Sequence, residues 1–322
     1  MKLEEIVTKL KTGDPVSLAK AITIVENRKK EYRKLLAVVY PIEKRSLKIG
    51  VTGSPGSGKS SLIEKMVSHL RERYASVAVL AVDPSSPITG GAILGDRIRM
   101  TGLSNDADVF IRSIASRGHL GGLSDSALEI IQLFEAAGKE VILIETVGIG
   151  QSEVEIAYAA DVVLTVLTPA GGDEIQIFKA GIIEVTDIFV INKADLDGAA
   201  TKITEIRSYF SASEKPPIVI PVSARTGEGI STLVDAVFDF ARSHKKRAVD
   251  RGKIFQRNLV LKIILQKIND QIGADEELRR LLESEESGNP FVTAERIYAR
   301  LTKGGIDGQK DPTHRHSSSE SG

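Results

Sequence analysis

Seven short apolar runs, separated by segments of helical periodicity, occupy the middle of the chain. The runs are rich in Val and Ile and nearly continuous in apolar character, which is typical of parallel strands covered on both faces. Segments such as Lys59–Tyr74 and Ser124–Ala137 can hold crossover helices. The alternation predicts an α/β fold with a doubly wound, mostly parallel sheet. The predicted strands are 47–53, 77–83, 109–114, 140–146, 162–168, 188–193 and 218–223.

The first 46 residues show helical periodicity instead. Apolar residues recur at i, i+3, i+4 and i+7 from Leu3, and the same spacing begins again at Leu18. Asp14 can cap the second helix, with Pro15 at its first position. The many basic residues of this segment are expected to form a solvated helix face; the alternative is a docking surface for a partner.

The chain becomes helical again after about residue 243. An apolar stripe there can pack on the α/β domain or form a dimer or partner interface, and the sequence leaves both open. Further helices are expected at 274–284 and 293–301, before a polar, Gly- and Ser-rich tail that we expect to be disordered. The stripe comprises Leu261, Ile264, Leu265, Ile268 and Ile272. The predicted divisions are 1–46 (N-terminal helical arm), 47–243 (α/β domain), 244–303 (C-terminal helical arm) and 304–322 (tail).

The amino-acid composition excludes several classes of function. The 322 residues include 43 Lys and Arg and 43 Asp and Glu, so the chain lacks the cationic excess of a general nucleic-acid binder. It contains no cysteine, which excludes disulfides, thiolate metal sites and cysteine nucleophiles. No apolar stretch reaches the roughly 18 residues of a membrane span, and the N-terminus shows no signal-peptide core. We therefore expect a cytoplasmic protein that binds neither nucleic acid nor membrane.

A phosphate-binding loop follows the first predicted strand. Its sequence matches GxxxxGK[ST] and opens a helical segment, which is the context that this motif requires. Glycines let backbone N–H groups approach phosphate oxygens, and the helix N-terminus adds a positive dipole end. Lys59 can reach the β- and γ-phosphates, and the Ser60 hydroxyl can bind Mg²⁺. The loop comprises Gly53, Ser54, Pro55, Gly56, Ser57, Gly58, Lys59 and Ser60.

Two further motifs indicate a guanine base. Asn192–Asp195 matches NKxD at the end of a strand, and the Asp195 carboxylate can accept hydrogen bonds from guanine N1–H and the 2-amino group. Adenine offers neither donor in that arrangement, so a carboxylate there would reject it. Lys193 can pack its stem along the base. Ser223–Gly229 then resembles the SAxxGxG loop that completes the guanine pocket of GTPases.

Acidic residues at other strand ends are candidate magnesium or water ligands. Glu145 stands where Ras-like GTPases have the Asp of DxxG, and Ile149 stands at the usual position of the water-orienting Gln. Asp83 ends another predicted strand and can order Mg²⁺ or the attacking water, or act as a helix cap or turn residue. Asp96 lies in a Gly-containing loop and can be a γ-phosphate sensor or a surface charge.

Long runs of sequence resemble the MeaB/ArgK family. They are VDPSSPITGGAILGDRIRM (82–100), RGHLGGLS (117–124), ETVGIGQSE (145–153) and GDEIQIFKAG (172–181). This family comprises the methylmalonyl-CoA-mutase-associated GTPases, also described as arginine/ornithine transport-system ATPases, of the SIMIBI class of P-loop GTPases. The resemblance covers roughly residues 1–301 and implies a P-loop GTPase domain with helical extensions.

The resemblance implies a role for each matching residue. Mg²⁺ would be surrounded by Ser60, Asp83, Asp96 and Glu145. The phosphates would be held by the P-loop, including Gly56, Gly58, Lys59, Ser60 and Ser61, and guanine by Asn192, Lys193, Asp195, Ser223 and Ala224, with Arg225 next in that loop. The switch regions would fall at about 83–100, 145–155 and 171–181. Lys179 is the residue we expect to swing toward the phosphates when a partner accelerates hydrolysis; the alternative is a lysine that caps or solvates a helix.

The resemblance also implies a partner. Proteins of this family are homodimeric GTP/GDP-binding chaperones of adenosylcobalamin-dependent methylmalonyl-CoA mutase. Ser61 and the Ile177–Phe178 pair depart from the usual family residues, so a related cobalamin-dependent acyl-CoA mutase remains an alternative partner. A kinase or ATPase of an amino-acid transport system is a competing function. A nickel metallochaperone is another, although it would need a Cys/His cluster, and His69, His119 and His244 are widely separated.

Overall fold

The computed structural model describes residues 2–40, 46–83, 101–103, 106–115, 125–146, 156, 158–169, 182–211, 216–283 and 289–303. They fall into two compact units, residues 1–255 and 256–322. The division lies inside the long helix 245–274.

A seven-stranded sheet in the first unit confirms the predicted α/β fold. Its strand order is β3-β2-β4-β1-β5-β6-β7, and every neighbouring pair is parallel. Because the strands are parallel, their carboxyl ends lie along one edge, where ligands bind in sheets of this type. The strands are β1 (Leu47–Thr52), β2 (Val77–Asp83), β3 (Val109–Ala115), β4 (Val141–Glu145), β5 (Val162–Leu167), β6 (Ile188–Ile191) and β7 (Ile218–Pro221).

Helices cover the sheet and extend the chain at both ends. As predicted, Asp14 caps the second helix: its carboxylate accepts a hydrogen bond from the Ser17 backbone N–H at 2.7 Å. None of the described helices has an apolar stretch long enough to cross a membrane. The helices are α1 (Leu3–Lys11), α2 (Pro15–Glu26), α3 (Tyr32–Val39), α4 (Lys59–Arg71), α5 (Asp125–Ala136), α6 (Ile182–Val185), α7 (Ala199–Tyr209), α8 (Ile230–Ser243), α9 (Lys245–Ala274), α10 (Glu276–Glu283) and α11 (Pro290–Lys303).

The core fills both faces of the sheet. On one face, α4 and α8 bury apolar side chains such as Met66 and Val237 against strand residues including Ile49 and Leu164. In the N-terminal part of the chain, α2 and α3 contact α5. Arg28 pairs with the buried Glu129 of α5, and Arg112 of β3 pairs with Glu26 of α2. The N-terminal helices are therefore fixed to the helix that precedes β4.

A buried ion cluster joins the start of α9 to the sheet at the edge opposite the carboxyl ends. The Asp187 side chain, fully buried before β6, accepts hydrogen bonds from Arg251 at 2.7 and 3.2 Å and pairs with Arg247 at 2.9 Å. The same carboxylate accepts the Val163 backbone N–H at 2.8 Å. Because Arg251 also donates to the backbone oxygens of Asp161 and Val185, one guanidinium joins the residue before β5 to the segment that links α6 and β6.

We expect Asp187→Ala to destabilise the protein strongly. Removing one partner of a buried ion pair leaves an uncompensated buried charge, which typically costs about 3–5 kcal/mol. Urea unfolding followed by far-UV circular dichroism measures the loss. Asp239→Ala is the matched control, because Asp239 pairs with Arg242 at the exposed surface and its loss should cost about 1 kcal/mol or less. A change at Asp187 as small as that of the control would contradict the structural role assigned to this cluster.

Candidate functional site

Two positions of the P-loop, which links β1 to α4, have a backbone conformation and surroundings that require glycine. Gly53 has φ +141°, and an added Cβ would lie 2.3 Å from the Val166 backbone oxygen. Gly58 has φ +88°, and its Cβ would lie 2.4 Å from the Asn192 side-chain nitrogen. Positive φ is strained for residues with a side chain. These glycines therefore bring the loop against β5 and against the loop after β6.

The P-loop carries hydrogen-bond donors suited to phosphate. Lys59 begins α4, and its buried ammonium group donates to the backbone oxygens of Gly53 at 2.7 Å and Ser54 at 3.2 Å. The buried Oγ atoms of Ser54 and Ser57 have no hydrogen-bond partner among the residues that the structure describes. Buried polar groups normally find partners, so these hydroxyls and the helix N-terminus suit an anionic ligand. Pro55, Gly56 and Ser61, the remaining loop residues, are exposed.

Oxygen atoms suited to a magnesium ion lie on the first turn of α4 and at the ends of the neighbouring strands β2 and β4. The Ser60 hydroxyl donates to Glu145 Oε1 at 2.7 Å, which joins α4 to the end of β4. Asp83 ends the neighbouring strand β2, and the two acidic residues are only 2 % and 3 % exposed. One hydroxyl and two carboxylates are hard oxygen donors of the kind that Mg²⁺ prefers. This donor set fits Mg²⁺.

Two threonines, which sequence reasoning missed, join the start of the P-loop to the end of β4. The Thr146 hydroxyl donates to the Thr52 hydroxyl at 3.2 Å, and the Thr146 backbone N–H donates to the Val51 oxygen at 3.2 Å. Both threonines are buried. The contact extends the pairing of β1 and β4 by one residue beyond Glu145. It therefore fixes the backbone on both sides of the Ser60–Glu145 contact.

The Asn192 side chain connects the P-loop to the two loops of the predicted base pocket. This side-chain amide donates to the Ser57 backbone oxygen at 2.8 Å and accepts the backbone N–H groups of Lys193 at 2.8 Å and Ala224 at 3.1 Å. Asn192 is only 1 % exposed, so these bonds are shielded from water. The Asn192 side chain is thus held by contacts to three backbone segments.

Lys193 and Asp195 of the NKxD motif make side-chain contacts to the P-loop and to the loop after β7, respectively. Lys193 has φ +58° and reaches back to donate from Nζ to the Gly56 oxygen at 2.9 Å, so its stem crosses from the base loop to the P-loop. Asp195 accepts the Ser223 hydroxyl at 2.6 Å and the Arg225 guanidinium at 2.7 Å. The Ser223 hydrogen bond, supported by the Arg225 charge, lowers the pKa of the Asp195 carboxyl below its usual value. The carboxylate is therefore ionised at neutral pH.

Several predicted residues lie outside the described part of the chain. They are Asp96, His119, Ile149 and Lys179, together with the predicted switch segments beyond Asp83 and Thr146 and the segment 171–181. The described residues nevertheless bring together the P-loop, two acidic strand ends and both loops of the predicted base pocket. This grouping follows from the parallel sheet, because each element leaves the carboxyl end of a strand.

Comparison with known proteins agrees with this geometry. Residues 18–277 match the family described as "Methylmalonyl Co-A mutase-associated GTPase MeaB". The protein named GTPase ArgK of Escherichia coli (strain K12) is 41% identical over 250 residues, which are 74% of this chain and 76% of that protein. The Mus musculus protein named methylmalonic aciduria type A homolog, mitochondrial, is 40% identical over 260 residues, 74% of this chain and 63% of that protein.

A solved structure has the same fold. The crystal structure described as an LAO/AO transport system kinase aligns with a TM-score of 0.66 and 28% identity, covering 93% of this chain and 97% of that one. The family match spans most of the chain, and it includes the P-loop and both base loops. The chain therefore belongs to the MeaB family and is a P-loop GTPase.

Proposed function

We propose that this GTPase binds GTP with Mg²⁺, hydrolyses it to GDP and phosphate, and acts as a nucleotide-dependent chaperone of a cobalamin-dependent acyl-CoA mutase. The nucleotide part of this proposal is supported mainly by the Asn192 amide. It joins the phosphate-binding loop to the loops beside Asp195, whose carboxylate is ionised. That connection supports one site that holds phosphates and base together. Methylmalonyl-CoA mutase is the partner that the family description names.

In this proposal, the residues around the phosphates promote hydrolysis by their position and their charge. Lys59 leaves the loop oxygens to bind the β- and γ-phosphates, and the Ser54 and Ser57 hydroxyls add donors. Ser60, Asp83 and Glu145 would hold Mg²⁺, which when bound neutralises charge on the phosphate oxygens. Asp83, which ends a strand at the same edge, would also orient the attacking water.

The base end selects guanine through hydrogen bonds. An ionised Asp195 accepts the N1–H and the 2-amino group of guanine, whereas adenine would leave this carboxylate facing an acceptor. Ser223 keeps the carboxylate oriented, since its hydroxyl donates to Asp195 and accepts the Thr226 backbone N–H at 3.2 Å. Lys193 supports the base by the position of its stem.

The dimer proposed for this family rests on the C-terminal arm, predicted as residues 244–303. In the single chain, Leu261, Ile264 and Leu265 of the predicted stripe are 50%, 47% and 62% exposed. Adjacent exposed aliphatic side chains of this size usually mark an interaction surface. We propose that this stripe contacts a second copy of the chain, while the 1–46 arm and the 47–243 domain form the GTPase body.

Lys59→Ala should reduce GTP hydrolysis about 100-fold or more, because it removes a positive charge from the phosphate site. Phosphate release from GTP with Mg²⁺ measures the effect of the substitution. In the same assay, the wild-type protein should hydrolyse ATP far more slowly than GTP. Lys65→Ala is the control, since Lys65 lies exposed on the same helix and should leave hydrolysis unchanged. Retained hydrolysis in Lys59→Ala would show that this P-loop does not perform the reaction.

Ile264→Asp combined with Leu265→Asp should convert a dimer to a monomer, because each substitution buries an unpaired charge in an apolar interface. Light scattering should give wild type twice the 34.8 kDa chain mass and the double variant that mass itself. Gln256→Glu combined with Lys267→Gln changes the net charge by the same two units at exposed positions of α9 that lie away from the stripe, and it should remain dimeric. A monomeric wild type would reject the dimer proposal.

A further inference from the structure

Both oxygens of the Asp195 carboxylate are engaged by the protein itself. Oδ1 accepts the Ser223 hydroxyl at 2.6 Å, and Oδ2 accepts an Arg225 N–H at 2.7 Å. Guanine would have to donate two hydrogen bonds to this same carboxylate. The proposed base acceptor therefore already has a cationic partner.

The two partners of Asp195 differ in how firmly they are held. Ser223 is buried, and its hydroxyl also accepts the Thr226 N–H, so it belongs to the fixed framework of the loop. The Arg225 side chain is 77% exposed, whereas the Asp195 side chain is 15% exposed. An ion pair with such an exposed member contributes little stability because water and salt screen it. Arg225 is thus the partner that can leave.

We propose that Arg225 is an internal competitor for guanine, which holds Asp195 Oδ2 when the pocket has no base and is displaced when guanine binds. This inference rests on the proposed guanine site. A carboxylate oxygen has a second lone pair, but sharing Oδ2 would place the guanidinium beside the 2-amino group of the base. The small Ser223 hydroxyl can share Oδ1 with guanine N1–H, because a carboxylate oxygen accepts two hydrogen bonds. The guanidinium is larger and is held weakly at the surface, so we expect the 2-amino group to displace it from Oδ2.

The competition has a consequence for base selection. The proposal assigns guanine N1–H to Oδ1 and the 2-amino group to Oδ2, the oxygen that Arg225 holds. Guanine then has to displace Arg225, whereas hypoxanthine lacks the 2-amino group and donates to Oδ1 alone. Arg225 therefore weakens the binding of GDP more than that of inosine diphosphate. It also keeps Asp195 paired after the nucleotide leaves, which lowers the affinity for GDP and favours nucleotide exchange.

The test is calorimetric titration of Arg225→Ala with GDP and with inosine diphosphate, both with Mg²⁺ at low salt. GDP should bind about 2- to 5-fold more tightly than to wild type, as expected for release of an exposed ion pair, and inosine diphosphate should be unchanged. The matched control is Arg242→Ala, which removes an arginine that is 74% exposed and paired with Asp239 at 3.0 Å. Arg242→Ala should change the affinity for neither GDP nor inosine diphosphate.

Three outcomes would overturn the inference. Weaker GDP binding would mean that Arg225 contacts the nucleotide, and an equal gain for both nucleotides would mean a general effect of surface charge. No change for either nucleotide would mean that Arg225 does not compete. A wild-type protein that binds neither nucleotide would instead reject the guanine site itself, so failure of the proposed function is distinguishable from failure of this inference.

Discussion

The proposed nucleotide site depends on the buried side-chain amide of Asn192. Its nitrogen fixes the P-loop through the Ser57 oxygen, and its oxygen fixes the turn at Lys193 and the loop at Ala224. The loops after β6 and β7 are joined by a backbone hydrogen bond from Ala194 N–H to the Val222 oxygen at 2.9 Å, and the side chains of Asn192 and Lys193 join them to the P-loop. A side chain with two donors and an acceptor oxygen can satisfy all three at once, and each bond is strong because the environment is dry. The Asn192 side chain thus sets the spacing between the P-loop and the two loops of the proposed base pocket.

The rest of the fold keeps those strand ends in place. Parallel pairing aligns the carboxyl ends along one edge, and Gly53 and Gly58 allow the close approaches that bring the P-loop to β5 and to Asn192. At the opposite edge, the Asp187–Arg251 pair fixes the starts of β5 and β6 and the first turns of α9. Interactions remote from the nucleotide therefore determine where the loops begin.

The sequence alone predicted the strands and the P-loop well, for identifiable physical reasons. Strands buried on both faces have continuous apolar runs, and the structure confirms all seven, with ends one or two residues shorter in most cases. The motifs from Gly53 and from Asn192 are local and could be found directly. Contacts between distant segments could not: Thr52–Thr146, Asp187–Arg251 and Arg225–Asp195 join residues separated by 94, 64 and 30 positions and follow no local period. The tertiary role of Asn192 was missed for the same reason.

The most direct test of this account is the affinity of Asn192→Ala for GDP, measured by calorimetry with far-UV circular dichroism to confirm folding. Asn192 supports both subsites, and its loss leaves three backbone groups without their partner, so we expect binding at least about 100-fold weaker than in wild type. A folded variant that binds GDP within about threefold of wild type would contradict the claim that this amide assembles the site.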